Sequence, residues 1–383
     1  LFKKLLAFIR KFLGRIVLLL NLCAIVWLAI CALASYTHPA DIRYIAIFSL
    51  TTPVAVFANI IFALAWLIFS RRKVRALLSV VALVACYKLI GVVFGMNYFK
   101  SNDFTATNNT LKVMHWNVHG MGLFNAPYDG SHEKKIMAYL NTEQPDVMCL
   151  PEFSTPKTKV MTPTAKKILK DNGYKDYRFQ ADNTLGKDIF LGTAIFSKYP
   201  IFNFKANKLS DYIYMLQADI RLNSGDTLRM LFGHLNTFGL SDNDKDYIEE
   251  LTQTTKGLNA DMKLSQPYLW KFNYAFLRRA KEVSVTRDII DNSPYPVVMC
   301  GDLNDLPGSY TYTQLNEVLN DAFLDMGHGL GRTYNRLSPT LRIDYIFYDP
   351  ELLRCIGYKS PYTSLSDHNP VIANFEIIQA PQG

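Results

Sequence analysis

Three long apolar stretches near the N-terminus, about 16–36, 45–69 and 74–95, constrain this chain more than any other feature. A helix crossing the roughly 30 Å hydrocarbon core of a bilayer needs about 20 apolar residues, and each stretch supplies them. Together they are too long and too numerous for a cleaved leader, and nothing else in the chain is large enough to cover them as a buried hairpin. Lys3, Lys4, Arg10, Lys11 and Arg15 precede the first stretch, and Arg71, Arg72, Lys73 and Arg75 separate the second from the third. The loop between the first two carries only Asp41 and Arg43. The positive-inside bias therefore predicts a cytoplasmic N-terminus and an extracytoplasmic remainder, which in a Gram-negative bacterium is the periplasmic side of the inner membrane. Residues 1–100 read as a multi-pass integral membrane module with three transmembrane helices, 101–110 as a polar linker and 111–383 as one soluble domain. Lys88, inside the third stretch, reads as a snorkelling or helix-contacting residue.

Charge separates the two parts. Residues 1–100 hold 12 of the 41 Lys and Arg but only one of the 33 Asp and Glu, so the remainder carries a net charge of −3. A whole-chain pI near 9.0 would suggest a nucleic-acid partner, yet the positive charge belongs to the membrane part. Cys149, Cys300 and Cys355 are an odd set in a domain large enough to build its own core, and are expected as buried free thiols rather than disulfides.

In the soluble part, short β-branched runs alternate with helical patterns, as in an α/β protein. Strands are predicted over 111–117, 146–150, 193–197, 215–222, 228–234, 296–301, 343–348 and 371–377, and helices over 133–142, 164–172, 273–292 and 312–319. The stretch 241–271 stands apart, first acidic (Asp242, Asp244, Asp246, Glu249, Glu250) and then aromatic (Tyr268, Trp270). Connections of this length are usually functional or mobile.

Polar residues recur where the predicted strands end: Asn117 in HWNVHG, Glu152 in LPEF, His234 in GHLNTFG, Asp302 and Asn304 in GDLND, Asp344 in RIDYIF, and Asp367 with His368 in SDHNP. Carboxylates and an amide suit a hard, oxygen-liganded cation such as Mg²⁺, and imidazoles move protons or stabilise charge. A phosphoester repels an incoming hydroxide, so its charge must be neutralised before attack, and this inventory fits its hydrolysis. Asn304, two residues after Asp302 along an extended backbone, is expected to point the same way and orient the attacking water.

This ordered set resembles the endonuclease/exonuclease/phosphatase superfamily, which includes DNase I-like nucleases, neutral sphingomyelinases and inositol-polyphosphate 5-phosphatases. The likeness spans Leu111 to the C-terminal strand and includes GTAIFSKYPI at 192–201. It implies an α/β fold, a four-layer sandwich of two mainly antiparallel β-sheets flanked by helices, here preceded by three transmembrane helices. It also implies a metal site at Glu152, with Asn117 close by and Asp367 as a further ligand, for Mg²⁺ or Mn²⁺. Asp302 and Asn304 would handle the nucleophilic water, Asp344 would hold His368 beside the scissile phosphate, and His234 would assist the leaving group. His119, His132 and His328 match no position of the pattern and are expected on the surface or in loops. Arg278 and Arg279 are expected on an exposed helix face.

The substrate stays open at this point. A lipid or lipid headgroup phosphodiester is favoured by the membrane spans, the absence of net positive charge and the aromatic stretch 268–276. A nuclease would use the same residues with a basic patch at Lys157, Lys159, Lys166, Lys167 and Lys170. A phosphomonoesterase and a catalytically idle assembly subunit are the remaining readings, and the last would require losses at positions that are all intact.

Overall fold

The computed structural model describes residues 2–124, 130–156, 163–210, 213–240, 244, 262–338 and 340–378. Most of the acidic and aromatic stretch, 241–243 and 245–261, lies outside the described residues, as do Lys157 and Lys159. Compactness divides the chain into two units, residues 1–93 with 307–313, and residues 94–306 with 314–383.

In the first unit, the helix Phe2–Tyr36 contains one apolar span, Lys11–Tyr36, and Ile45–Phe69 forms a second. Both are long and apolar enough to cross a membrane. The third expected span is not one straight helix: Lys73–Ala85 and Tyr87–Val93 meet at an angle of 67°, with neither proline nor glycine at the break. These helices turn many large apolar side chains outward and bury several polar ones. Leu19, Ile61, Val81 and Val84 are more than 60% exposed, while Asn21, Asn59 and Ser79 are fully buried. Asn21 Nδ2 donates to Ser79 Oγ at 2.6 Å, and Trp66 Nε1 donates to Asn21 Oδ1 at 2.8 Å. Asn59 Nδ2 donates to the Ala24 carbonyl at 2.9 Å. In an apolar solvent, packing and interhelical hydrogen bonds hold helices together, because lipid offers apolar side chains no reason to turn inward.

The second unit is built on two six-stranded sheets. Its strands are β1 (Gly95–Met96), β2 (Thr110–His115), β3 (Val147–Pro156), β4 (Asp176–Leu185), β5 (Ile189–Ser197), β6 (Ile201–Lys208), β7 (Tyr214–Arg221), β8 (Thr227–His234), β9 (Val297–Asp302), β10 (Asn320–Asp321), β11 (His328–Gly329), β12 (Asp344–Tyr348), β13 (Leu353–Lys359) and β14 (Val371–Ile377). One sheet runs β13-β14-β2-β3-β5-β4 and the other β10-β12-β9-β8-β7-β6. Alternation along each strand sends Val113, Val147 and Cys149 of the first sheet into one apolar core with Ala218, Phe232, Val298 and Ile346 of the second. Met114, Trp116, Met148 and Leu150, on the other face of the first sheet, pack with Ile136 and Leu140 of the helix Ser131–Glu143 and Ile168 of the helix Pro163–Asn172. The helix Met262–Asp291 buries Ala275, Phe276, Ala280 and Val283. The result is the expected sandwich of two mainly antiparallel sheets with helical layers. Cys149, Cys300 and Cys355 are buried and free.

Each sheet contains one parallel pair, β2 with β3 and β8 with β9. Parallel neighbours place both carboxyl ends at the same pole, so β2 and β3 deliver Asn117 and Glu152 together, and β8 and β9 deliver His234 opposite Asp302. The antiparallel partners bring their starts there: Asp344 pairs with Asp302, and Val371, three residues after His368, pairs with His115. Topology thus gathers at one pole residues as far apart in sequence as Asn117 and His368.

Candidate active site

Local sequence aims the side chains that topology has gathered. Pro151 lacks the N–H that a strand ladder needs, and the β3–β5 register shifts between Leu150 and Phe153, where Glu152 takes a φ of +52°. Such a bulge turns a strand residue out of its face. Opposite it stands Gly192, where a Cβ would come within 2.0 Å of the Gln180 carbonyl oxygen, so no larger residue fits the pairing. Asn304 departs from the expectation of an extended backbone. β9 ends at Asp302, and Asn304 has a φ of +49° with its N–H donating to Asp302 Oδ1 at 2.9 Å. This Asx turn competes successfully with the strand. Asn304 Nδ2 donates to the Leu235 carbonyl at 2.9 Å, which ties GDLND to the end of β8.

The assembled residues form a buried floor and an open rim. On the floor, Asp302, Asp344 and His368 are 5% exposed or less. His368 Nδ1 lies 2.8 Å from Asp344 Oδ2, and its Nε2 lies 3.8 Å from Asp302 Oδ2. His234 Nε2 approaches the same Asp302 oxygen at 3.7 Å, leaving that carboxylate between two imidazoles. Burial alone would pull His368 down, but Asp344 and Asp302 hold it up to about 10. Burial would raise Asp344, but His368 and His115 hold it well below the usual carboxylate range. Asp302 is raised by burial and by Asp344 beside it, so it is the floor carboxyl with the greater affinity for a proton.

On the rim, the Glu152 and Asp367 side chains are 30% and 18% exposed. Asn117 Nδ2 donates to Glu152 Oε1 at 2.9 Å. Burial opposes ionisation of Glu152, but the nearby His119 imidazole, the charge of His234 and the hydrogen bond from Asn117 bring it down to about 2. A carboxylate kept ionised beside an amide is a pair of groups that fits a hard divalent cation. Among the described residues, the one group of three whose ligand atoms all lie within 4.8 Å of one another is Asp302, Asp344 and His368. There, however, Nδ1 of His368 is already engaged by Asp344, an arrangement suited to proton handling.

Sequence reasoning missed three nearby groups. His115 is fully buried on β2 with Nε2 3.3 Å from Asp344 Oδ1, so Asp344 stands between His115 and His368. His119, expected on the surface or in a loop, opens the short 3-10 turn His119–Gly122 and reaches the rim, with Nδ1 3.3 Å from Asp367 Oδ1 and 3.7 Å from Glu152 Oε2. Both sit two positions from Asn117 in HWNVHG, a spacing that could have found them. Asp182, on an unpredicted strand, accepts from Thr193 Oγ1 at 3.2 Å, and burial pushes it up to about 6 against the opposing influence of His234. Arg279 corrects the exposed-face expectation. It is fully buried, donates to Asp305 Oδ2 at 3.2 Å and to the Asn236 carbonyl at 3.0 Å, and packs over Phe238. Its role is to brace the loop after β8 against GDLND.

The comparisons agree with this architecture. A sequence profile of the endonuclease/exonuclease/phosphatase family matches residues 114–368, and one for a domain of unknown function matches residues 14–93. Comparison with curated protein sequences gives no match. The human nocturnin catalytic domain with bound sulfate anion is 16% identical, with a TM-score of 0.51 over 72% of this chain and 98% of that one. An endonuclease/exonuclease/phosphatase protein from Beutenbergia cavernae is 18% identical, with a TM-score of 0.51 over 72% and 73%. A family member from Bacteroides thetaiotaomicron is 16% identical, with a TM-score of 0.50 over 70% and 98%. At these identities the structural likeness speaks to the fold.

Proposed function

Because the chain belongs to the endonuclease/exonuclease/phosphatase family, and is thereby a phosphoester hydrolase, we propose that it cleaves a phosphodiester of a lipid or lipid headgroup at the extracytoplasmic face of the membrane that anchors it. The observation that carries the chemistry is the convergence of an ionised Glu152 beside Asn117 with the Asp344–His368–Asp302 row at the same pole. A divalent cation, Mg²⁺ or Mn²⁺, held by Glu152 and Asn117 with Asp367 as a further ligand, would neutralise charge on a non-bridging phosphate oxygen. Asp302, the floor carboxyl with the raised proton affinity, accepts the proton of the attacking water, which Asn304 orients. His368, held by Asp344, presents Nε2 to the same region and stabilises the charge that develops on phosphorus oxygens. His234, at the end of β8 with a side chain 21% exposed, assists the leaving oxygen.

The substrate class rests on a second observation. The aromatic stretch divides into two faces: Phe272 and Phe276 pack on Phe238, while Trp270 and Tyr274 stack at 8° and are 58% and 44% exposed. Arg278 lies over the Tyr274 ring, which completes a ladder at four-residue spacing. Exposed aromatics topped by a cation suit a headgroup interface. The three spans and the cytoplasmic N-terminus complete the proposed arrangement, with the bent pair 73–93 serving as the third crossing. Protection of the catalytic unit from protease in intact cells, rather than in spheroplasts, is the expected topology result.

The decisive assay takes detergent-purified full-length protein with Mg²⁺, Mn²⁺ or EDTA against sphingolipids, glycerophospholipids, DNA, RNA and phosphate monoesters. Metal-dependent hydrolysis of a lipid phosphodiester, lost in His368→Ala, is expected. Cleavage of DNA with lipids left intact would sink the lipid reading and transfer the site to an extracytoplasmic nuclease.

A further inference from the structure

We infer that Arg279 and Glu282 are the positioning residues of His234, an inference that rests on the leaving-group role just proposed for that histidine. One turn apart on the helix Met262–Asp291, both are fully buried and grip the loop that follows β8. The Glu282 carboxylate accepts from the Asn236 N–H at Oε2, 3.0 Å away, and at Oε1 from the Asn236 side-chain amide and from Ser210 Oγ, the latter at 2.8 Å. Arg279 Nη1 donates to the Asn236 carbonyl at 3.0 Å, and its Nε donates to Asp305 Oδ2 at 3.2 Å.

GDLND holds the same stretch from the other side. The Leu235 N–H donates to the Asp302 carbonyl at 2.9 Å, and the Leu235 carbonyl accepts from Asn304 Nδ2 at 2.9 Å. Every backbone N–H and carbonyl of Leu235 and Asn236 therefore has a partner, two of them in GDLND and two on the helix. Chain leaving a strand is ordinarily mobile. Here it is fixed one and two residues beyond His234, whose Nε2 lies 3.7 Å from Asp302 Oδ2. Arg279 also links Asn236 to Asp305, so the loop that carries His234 and the turn that carries Asn304 are held in one frame. Burying charge is costly unless its hydrogen bonds are met, and an apolar pair of similar size would pack the helix as well. What such a pair could not supply is an acceptor for the Asn236 N–H and a donor for its carbonyl. The charges are thus accounted for by the loop they hold in place.

The test assays full-length protein in detergent with Mn²⁺ on methyl p-nitrophenyl phosphate and methyl phenyl phosphate, two phosphodiesters that differ in how much help the leaving oxygen needs. His234→Ala should slow the phenyl ester by about 10²–10⁴-fold and the nitrophenyl ester far less. Glu282→Gln keeps only one acceptor oxygen for three donors. It should slow the phenyl ester about tenfold and the nitrophenyl ester less than about twofold, with KM unchanged, and should add nothing further in the His234→Ala background. Equal slowing of both esters by Glu282→Gln, or losses that multiply in the double variant, would make the pair a support of the fold alone and overturn the inference. Hydrogen exchange read by mass spectrometry needs no turnover. Glu282→Gln should speed exchange in the peptide over 234–238 while β9 keeps its protection, and unchanged exchange there overturns the inference whatever His234 does. If His234→Ala slows both esters alike, the leaving-group role of His234 is wrong, and exchange with the double variant decides the positioning on its own.

Discussion

The floor and the rim of the site use the same residue types to opposite ends. On the floor, Asp302, Asp344, His368 and His115 are almost wholly buried; Asp302 accepts from Asn304, Asp344 and His368 engage each other, and His115 Nε2 lies 3.3 Å from Asp344 Oδ1. On the rim, Glu152, Asp367, His234 and His119 have side chains 18–35% exposed, with His119 facing Asp367 and Glu152 and His234 facing down to Asp302. Burial makes charge costly unless it is paired, so the floor has a fixed geometry and a fixed proton order. Partial exposure lets rim groups exchange partners, as capture of an ion and a substrate requires. In the proposed mechanism, chemistry and capture are therefore separated by depth rather than by residue type.

The largest expected effect is on the floor. His368→Ala should lower kcat by about 10²–10⁴-fold, with metal affinity unchanged, as measured by turnover alongside calorimetry; a parallel loss of metal binding would erase the division between floor and rim. Next comes the rim: Glu152→Gln should raise the metal concentration needed for half-maximal activity by more than about tenfold, read by titrating the EDTA-stripped protein. His115→Asn, which removes the imidazole 3.3 Å from Asp344 Oδ1, should lower kcat about tenfold, or ~1.4 kcal/mol, without moving KM. An equal loss in both parameters would place His115 outside the row.

The smallest effect concerns stability. The folded value of Asp182, about 6, lies above the ordinary value near 3.9. Its contribution is therefore fully present below about pH 4 and is lost as pH rises through 6, where an ionised carboxylate is left partly buried. Asp182→Asn should match wild type at pH 4 and melt about 2–4 °C higher at pH 8, the scale of ~1 kcal/mol in a domain of this size. A melting point at pH 8 no higher than that of wild type would show that solvent reaches the group.

Which strands could be read from the sequence follows from their place in the sheets. The eight predicted strands correspond to β2, β3, β5, β7, β8, β9, β12 and β14, all interior to the two sheets. The unpredicted β4, β6, β10 and β13 are the four edges. An edge strand is covered on fewer sides, so β6 (IFNFKANK) buries only Ile201 and carries no apolar run to recognise. The same limit applied to HWNVHG. The motif marked Asn117, but nothing local shows that one neighbouring histidine falls beside Asp344 and the other between Glu152 and Asp367.

The sequence by itself determined the apolar N-terminal segments, the α/β character of the remainder and the ordered set from Asn117 to His368, because hydropathy periodicity and motif order are written along the chain. Tertiary structure alone decided which carboxylates are buried and which stay open, that the third apolar stretch is bent by 67°, and that Asn304 turns rather than extends. Those outcomes depend on contacts between residues far apart in sequence, such as the pairing of Asp302 with both His234 and Asp344, and on the depth at which each charge comes to rest.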